Sequence, residues 1–296
     1  MKARIKPNNI FIFDNIKEAE NTMNKTWERM RDELKNGVYK YDEIDKAKES
    51  TFLSVFDDLF ERNKCHELLD TDLHSVFMEY QVVRGAVIKS EGDVINYERL
   101  LPKAEHIKED NRFSPEGVEW LYLALGFPMS NEGNIRAKQC SQAECRASAG
   151  DKFAVCKFEL NNEISNKIVD LTVGNQREFN KLQNDLERSA ERIIRKEVKK
   201  YLETLGAPNA SAFIPELRKW LVYTYAKMLS EQIFVPVDAN DKKLMYAPFH
   251  CMAQYFLSLG YSGIIYKSTV FDKGKNLVLF DKALAKPVGD IEQYTI

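Results

Sequence analysis

The chain has 296 residues, 44% of them hydrophobic and 30% charged, with a net charge of −2. That length holds one large domain or two small ones with a real core, and the charge balance gives no global attraction to nucleic acid or to an anionic membrane. The longest apolar runs, such as Leu277–Phe280, are far too short to span a bilayer.

The N-terminal MKARIKPNNIFIFDN is basic but lacks the apolar stretch of a secretion signal. The five cysteines, Cys65, Cys140, Cys145, Cys156 and Cys251, are scattered and form no CxxC pair or zinc-finger spacing. Reduced thiols in a cytoplasmic protein without a metal are the expectation. Residues 10–75 read as mostly helical: Asp14 or Asn15 caps a helix whose Ile16, Ala19, Met23, Trp27, Met30 and Leu34 keep a three/four rhythm, and Gly37 ends it. A second helical segment carries Ile44, Ala47, Phe52, Phe56 and Leu59.

The texture changes near residue 77. Phe77–Ile88 is β-rich and carries Arg84. Arg112 precedes a turn at Ser114–Gly117, followed by an apolar strand or short helix, Val118–Ala124, containing Tyr122. Gly126–Gln139 reads as a loop and Phe153–Leu160 as an alternating strand. Residues 175–204 form an amphipathic helix with Phe179, Leu182, Leu186, Ile193 and Tyr201 on its apolar stripe. Its arginines and lysines interleave with Glu187, Glu191, Glu197 and Glu203, which favours ion pairing on a solvated face over nucleic-acid binding. Another helix runs about Pro215–Glu231. Tyr246–Phe280 then reads as a helix with Pro248 in its first turn, a buried strand Gly263–Tyr266, a polar hairpin containing Ser268, and a second strand from Asn276.

Phosphate loops of the GxxxxGK[ST] and GxGxxG kinds are absent, as are HExxH and GxSxG. The histidines share no motif. What remains is a set of oddities: Arg84 inside a β-rich run, Arg112 before a turn, Glu144 in AECRASAG before a strand, and Ser268 at the end of a buried strand. Each has a bland account when taken alone.

Taken in order, QVVRGAV, NRFSPEGVEWLYLA, AECRASAGDKFAVCKFEL with IVDL after it, and YAPFHCMAQYFLSLGYSGIIYKSTVFDKGKNLVLF resemble the RES domain, a family named for an arginine, a glutamate and a serine. Here these are Arg84, Glu144 and Ser268. Glu132 is a rival for the glutamate, because it lies nearer the LYLA segment; Glu144 is preferred because a short loop and a strand follow it, which makes residues 125–142 a loop insertion. The resemblance implies an α+β fold: an ADP-ribosyltransferase-like split β-sheet with flanking helices. The domain would run over 77–296, with a helical N-terminal region at 1–76 and a helical insertion at about 175–231.

The same resemblance implies a toxin that destroys NAD by hydrolysis or phosphorolysis, with NAD as substrate, no metal, and an Xre-type antitoxin as partner. The added helices are open to antitoxin docking, autoinhibition or homo-oligomer formation. Cleavage of the nicotinamide–ribose bond passes through an oxocarbenium-like state. It suits Glu144 near the ribose, Arg84 and Arg112 on the diphosphate, Tyr122 or Tyr246 stacked on nicotinamide, and Ser268 bonding the ribose or carboxamide while fixing the surroundings of Glu144. An ADP-ribosyltransferase acting on a macromolecule would use the same residues. A degenerate domain serving as an interaction module is the non-enzymatic alternative.

Overall fold

A computed structural model describes residues 16–90, 92–93, 95–161, 166–174, 214–237 and 239–296, with isolated positions between 184 and 199. The helices are α1 (Ile16–Lys35), α2 (Ile44–Ala47), α3 (Thr51–Asp57), α4 (Leu73–Glu79), α5 (Asn131–Glu144), α6 (Ile214–Ile233) and α7 (Lys242–Ser258). The strands are β1 (Asp70–Asp72), β2 (Gln81–Ile88), β3 (Leu121–Gly126), β4 (Lys152–Leu160), β5 (Lys167–Asp170), β6 (Gly263–Lys267), β7 (Lys275–Leu279) and β8 (Ala285–Thr295). The chain is therefore mixed α+β. No helix among the described residues is long and apolar enough to cross a membrane.

The chain divides into two compact units. One takes residues 1–32, 45–69 and 171–232, so that residues 33–44 and 70–76 of the expected N-terminal region fall in the other. Its centre is aromatic: Trp27 meets Phe52 edge-on at 5.1 Å, and Tyr225 of α6 meets Phe52 at 5.3 Å and Phe56 at 5.4 Å. Met23, Trp27 and Met30 are buried, as the three/four rhythm of α1 requires. The amphipathic helix expected over 175–204 and the Asp14/Asn15 cap lie outside the described residues, apart from isolated helical positions where Arg195 pairs with Glu191 one turn away at 3.9 Å.

The other unit, residues 33–44, 70–170 and 233–296, contains an eight-stranded sheet of order β1-β5-β6-β7-β3-β2-β4-β8. All neighbours are antiparallel except β5 and β6. Leu121, Leu123 and Leu125 alternate onto one face, with Ile265, Leu277 and Leu279 from β6 and β7 in the same cluster. The other face carries Val83, Ala124, Phe153 and Val155, and α5 covers it with Ala137 and Cys140.

The registers show where the sheet opens. β2 pairs with β3 only over Gln81–Val83 against Ala124–Gly126. Beyond Val83, β2 continues with β4 as far as Ile88, while β3 continues with β7 back to Leu121. The two central strands thus splay apart after three pairs.

Three sequence expectations change here. The loop over 125–142 is in fact the connection into α5 and most of that helix. Its buried residues are Gly133, Ala137, Cys140 and Ser141, a stripe of small side chains that a search for large apolar residues passes over. Ser130 caps it by accepting from the Gly133 amide. Pro248 lies well inside α7, which starts at Lys242, and not in its first turn. The domain boundary at 76/77 moves to residue 70, because β1 pairs with β5.

Two glycines bring α5 close to the sheet. A Cβ on Gly126 would fall 1.8 Å from the Gly133 carbonyl oxygen, and one on Gly133 would fall 1.8 Å from that of Pro128. Both obstacles are backbone and have little room to yield. Gly126→Ala is expected to lower the unfolding free energy by about 3 kcal/mol, read as an earlier urea midpoint; an unchanged midpoint would contradict so close an approach.

Candidate active site

The opening between β2 and β3 is the floor of a cavity of about 350 Å³, within the range of small-molecule sites. Arg84 and Gly85 of β2, Tyr122 and Ala124 of β3, Glu144 at the end of α5, Tyr246 of α7, and Tyr266 and Asn276 of β6 and β7 all line it. Arg112 enters from the segment before β3.

Arg84 stands where the strands part. Its Nη1 donates to the Tyr122 carbonyl at 3.3 Å, an acceptor that β3 leaves free on the side facing away from β7. Burial pulls the guanidinium down to about 10, so it remains charged at neutral pH. Gly85 is required beside it, because a Cβ there would fall 2.3 Å from the Phe153 ring. Cys145 donates its thiol to the Gly85 carbonyl at 3.3 Å, tying the end of α5 to β2.

Glu144 is the last residue of α5 and is solvent-exposed. Ser268 donates to its Oε1 at 2.7 Å, and the Asn276 amide donates to the same oxygen. Oε2 has no protein partner among the described residues. The carboxylate also sits at the negative pole of the helix dipole, so this corner of the cavity favours a cation. Glu132, the rival, is exposed in the first turn of α5, paired with Arg136, and does not line the cavity.

Ser268 is buried, 1% exposed, and is not part of the lining. Its single proton goes to Glu144, and its oxygen accepts from the Val270 and Phe271 amides at 3.3 and 3.0 Å. The geometry therefore gives it the fixing half of the expected role: it holds Glu144 and shapes the hairpin whose Thr269 and Val270 reach the cavity. Asn276 was legible in the sequence only as a strand residue. The available signal was an amide at the head of the apolar run NLVLF.

Arg112 offers the cavity a buried donor. Its guanidinium lies over the Tyr246 ring at 4.9 Å and the Phe249 ring at 5.8 Å, while its Nη1 is buried without a hydrogen-bond partner among the described residues. A buried unpaired donor costs roughly 1–3 kcal/mol, and an anion in the cavity would relieve that cost. Tyr246 is engaged by this guanidinium, and the Tyr122 hydroxyl by Ser114 at 2.9 Å; burial pushes the Tyr122 phenol up. His250 holds the Arg112 segment, donating from Nε2 to the Asn111 carbonyl at 2.9 Å. The structure thus brings Arg84, Glu144, Arg112, Tyr122 and Tyr246 to one cavity, with Ser268 directly behind Glu144. No group of metal-ligating side chains occurs among the described residues.

No family model, no curated protein and no solved structure matches the chain.

Two outcomes follow from this geometry. Arg112→Met removes the unpaired donor and keeps an apolar stem against Tyr246, so it is expected to be at least as stable as the parent in thermal melts; a clear loss of stability would mean the guanidinium is already satisfied. Burial pulls the His250 imidazole below its ordinary value, so the unfolded chain takes up its proton more readily. Stability is then lost as pH falls through about 6.5 toward the lower folded value. His250→Gln is expected to flatten that limb of the stability–pH curve, and an unchanged slope would contradict the assignment.

Proposed function

We propose that the sheet unit is a RES-type domain that cleaves the nicotinamide–ribose bond of NAD, as a glycohydrolase or phosphorylase. The observation that carries this reading is the contact between Ser268 and Glu144, 124 positions apart in the chain, made at the edge of a cavity whose floor holds Arg84. The three residue types that the resemblance singles out meet at one place. The parting of β2 and β3 supports an ADP-ribosyltransferase-like split sheet, with the substrate lying across the split.

The chemistry suits the residues. The C1′–N bond breaks with its electron pair leaving on the nicotinamide nitrogen, which turns a cationic pyridinium into a neutral product, so no strong acid is needed. Positive charge moves onto the ribose. A carboxylate about 4 Å from that charge stabilises it by about 4 kcal/mol at an effective dielectric of about 20, close to three powers of ten in rate. Glu144 suits this role, since it lines the cavity and its Oε2 is unengaged among the described residues. Water or phosphate then forms the new C1′–O bond and sheds its proton to solvent or to the carboxylate. Arg84 and the buried donor of Arg112 suit the diphosphate, since a guanidinium offers paired donors to phosphoryl oxygens. The rings of Tyr122 and Tyr266 supply the aromatic wall.

Binding and turnover should separate cleanly. Glu144→Gln is expected to bind NAD in calorimetry with nearly the parental affinity and to turn it over about a thousandfold more slowly. Arg112→Met is expected to weaken NAD binding about tenfold or more. Undiminished turnover in Glu144→Gln would remove the carboxylate from the mechanism. Running the parent with and without phosphate, and resolving ADP-ribose from its 1″-phosphate, identifies the acceptor.

A further inference from the structure

Glu144 is held by a residue outside the arginine–glutamate–serine trio. We infer that Asn276 is a positioning residue that fixes the Glu144 carboxylate in one orientation, and that the Cys140 thiol sets which way round the Asn276 amide sits; this rests on the reading of Glu144 as the group facing the ribose.

Asn276 is 4% exposed on β7, directly before the buried apolar run Leu277–Leu279. An amide buried there costs free energy unless both its edges are paired. Its cross-strand partners are Ala124 on β3 and Tyr266 on β6, so all three share the face covered by α5. Carboxylate oxygens accept and do not donate, so the edge meeting Glu144 is the NH₂ group. The opposite edge is then a carbonyl that needs a donor. The Cys140 sulfur, one turn before Glu144 on α5, lies 3.5 Å from that oxygen, nearer than to the Lys275 carbonyl at 3.8 Å. Burial pushes the thiol up to about 12, so it stays protonated and able to donate at neutral pH. Gly274 makes room for it, since a Cβ there would fall 2.4 Å from the Cys140 sulfur.

The consequence lies in the carboxylate. One donor on Oε1 would leave the group free to turn about its last bond. Two donors, the Ser268 hydroxyl from the end of β6 and the Asn276 amide from β7, hold that oxygen from two directions and leave Oε2 unengaged on a residue that lines the cavity. Orientation of this kind acts on the chemical step more than on substrate affinity.

The test uses Asn276→Ala, Cys140→Ala and Cys140→Ser in the full chain, with kcat and KM for NAD measured separately. Asn276→Ala is expected to lose about tenfold or more in kcat with KM within about twofold of the parent. Cys140→Ala is expected to lose a smaller part of kcat, and Cys140→Ser, which keeps a donor, to recover it. Unchanged kcat in Asn276→Ala, or a loss confined to KM, overturns the proposal. A second measurement reads the contact without turnover and leaves the buried residues intact. The side-chain amide signals of Asn276 in a ¹H–¹⁵N spectrum are compared between the parent and Glu144→Gln, a substitution at an exposed position. Loss of the charged acceptor is expected to shift them. Unmoved signals overturn the contact whatever the substrate is; shifted signals in a protein that leaves NAD intact support the contact and count against NAD.

Discussion

The site depends on a sheet that stops pairing at its centre. β2 and β3 share only three residue pairs, and the backbone groups beyond that point must find other partners. The ladders of β2 with β4 and of β3 with β7 run on the outer edges and leave the edges facing the split open, where the Arg84 guanidinium takes the Tyr122 carbonyl. A charged side chain thus substitutes for a strand. It can do so while still facing a cavity, because a guanidinium has five donors and the carbonyl uses one of them.

Everything else at the site is arranged around that gap. Small residues on α5 and the paired glycines Gly126 and Gly133 let the helix lie against β2 and β3. The close packing delivers its C-terminus, with Glu144 and Cys145, to the cavity rim. The result is a cavity with two characters. One corner carries a carboxylate at the negative end of a helix, and the other walls carry Arg84 and the underused guanidinium of Arg112. A ligand with a developing positive charge at one end and phosphoryl groups nearby matches that polarity, and a dinucleotide with a pyridinium leaving group has both.

Much of this was legible in the sequence, for identifiable reasons. α1 follows from the periodicity of its large apolar stripe, and β4 from its β-rich run, although Phe153–Cys156 is buried on both faces instead of alternating. Arg84 stood out because it interrupts a β-rich run, and Ser268 because it ends a buried strand. What periodicity does not register is α5: its buried face is Gly133, Ala137, Cys140 and Ser141, so its signal is small size and not hydrophobicity. β8 was silent for the opposite reason. It is a mostly exposed edge strand containing Pro287 and Gly289, and only its pairing with β4 makes it a strand. Asn276 read as an ordinary strand residue because its partners, Glu144 and Cys140, lie more than 130 positions away.

The central claim is that this cavity cleaves the nicotinamide–ribose bond. Real-time ¹H NMR of NAD with the purified full chain tests it most directly, followed at the anomeric proton of the nicotinamide ribose. The account predicts loss of that signal and matching growth of free nicotinamide, in phosphate buffer or without phosphate. NAD that stays intact under both conditions, with protein shown to be folded, would contradict it.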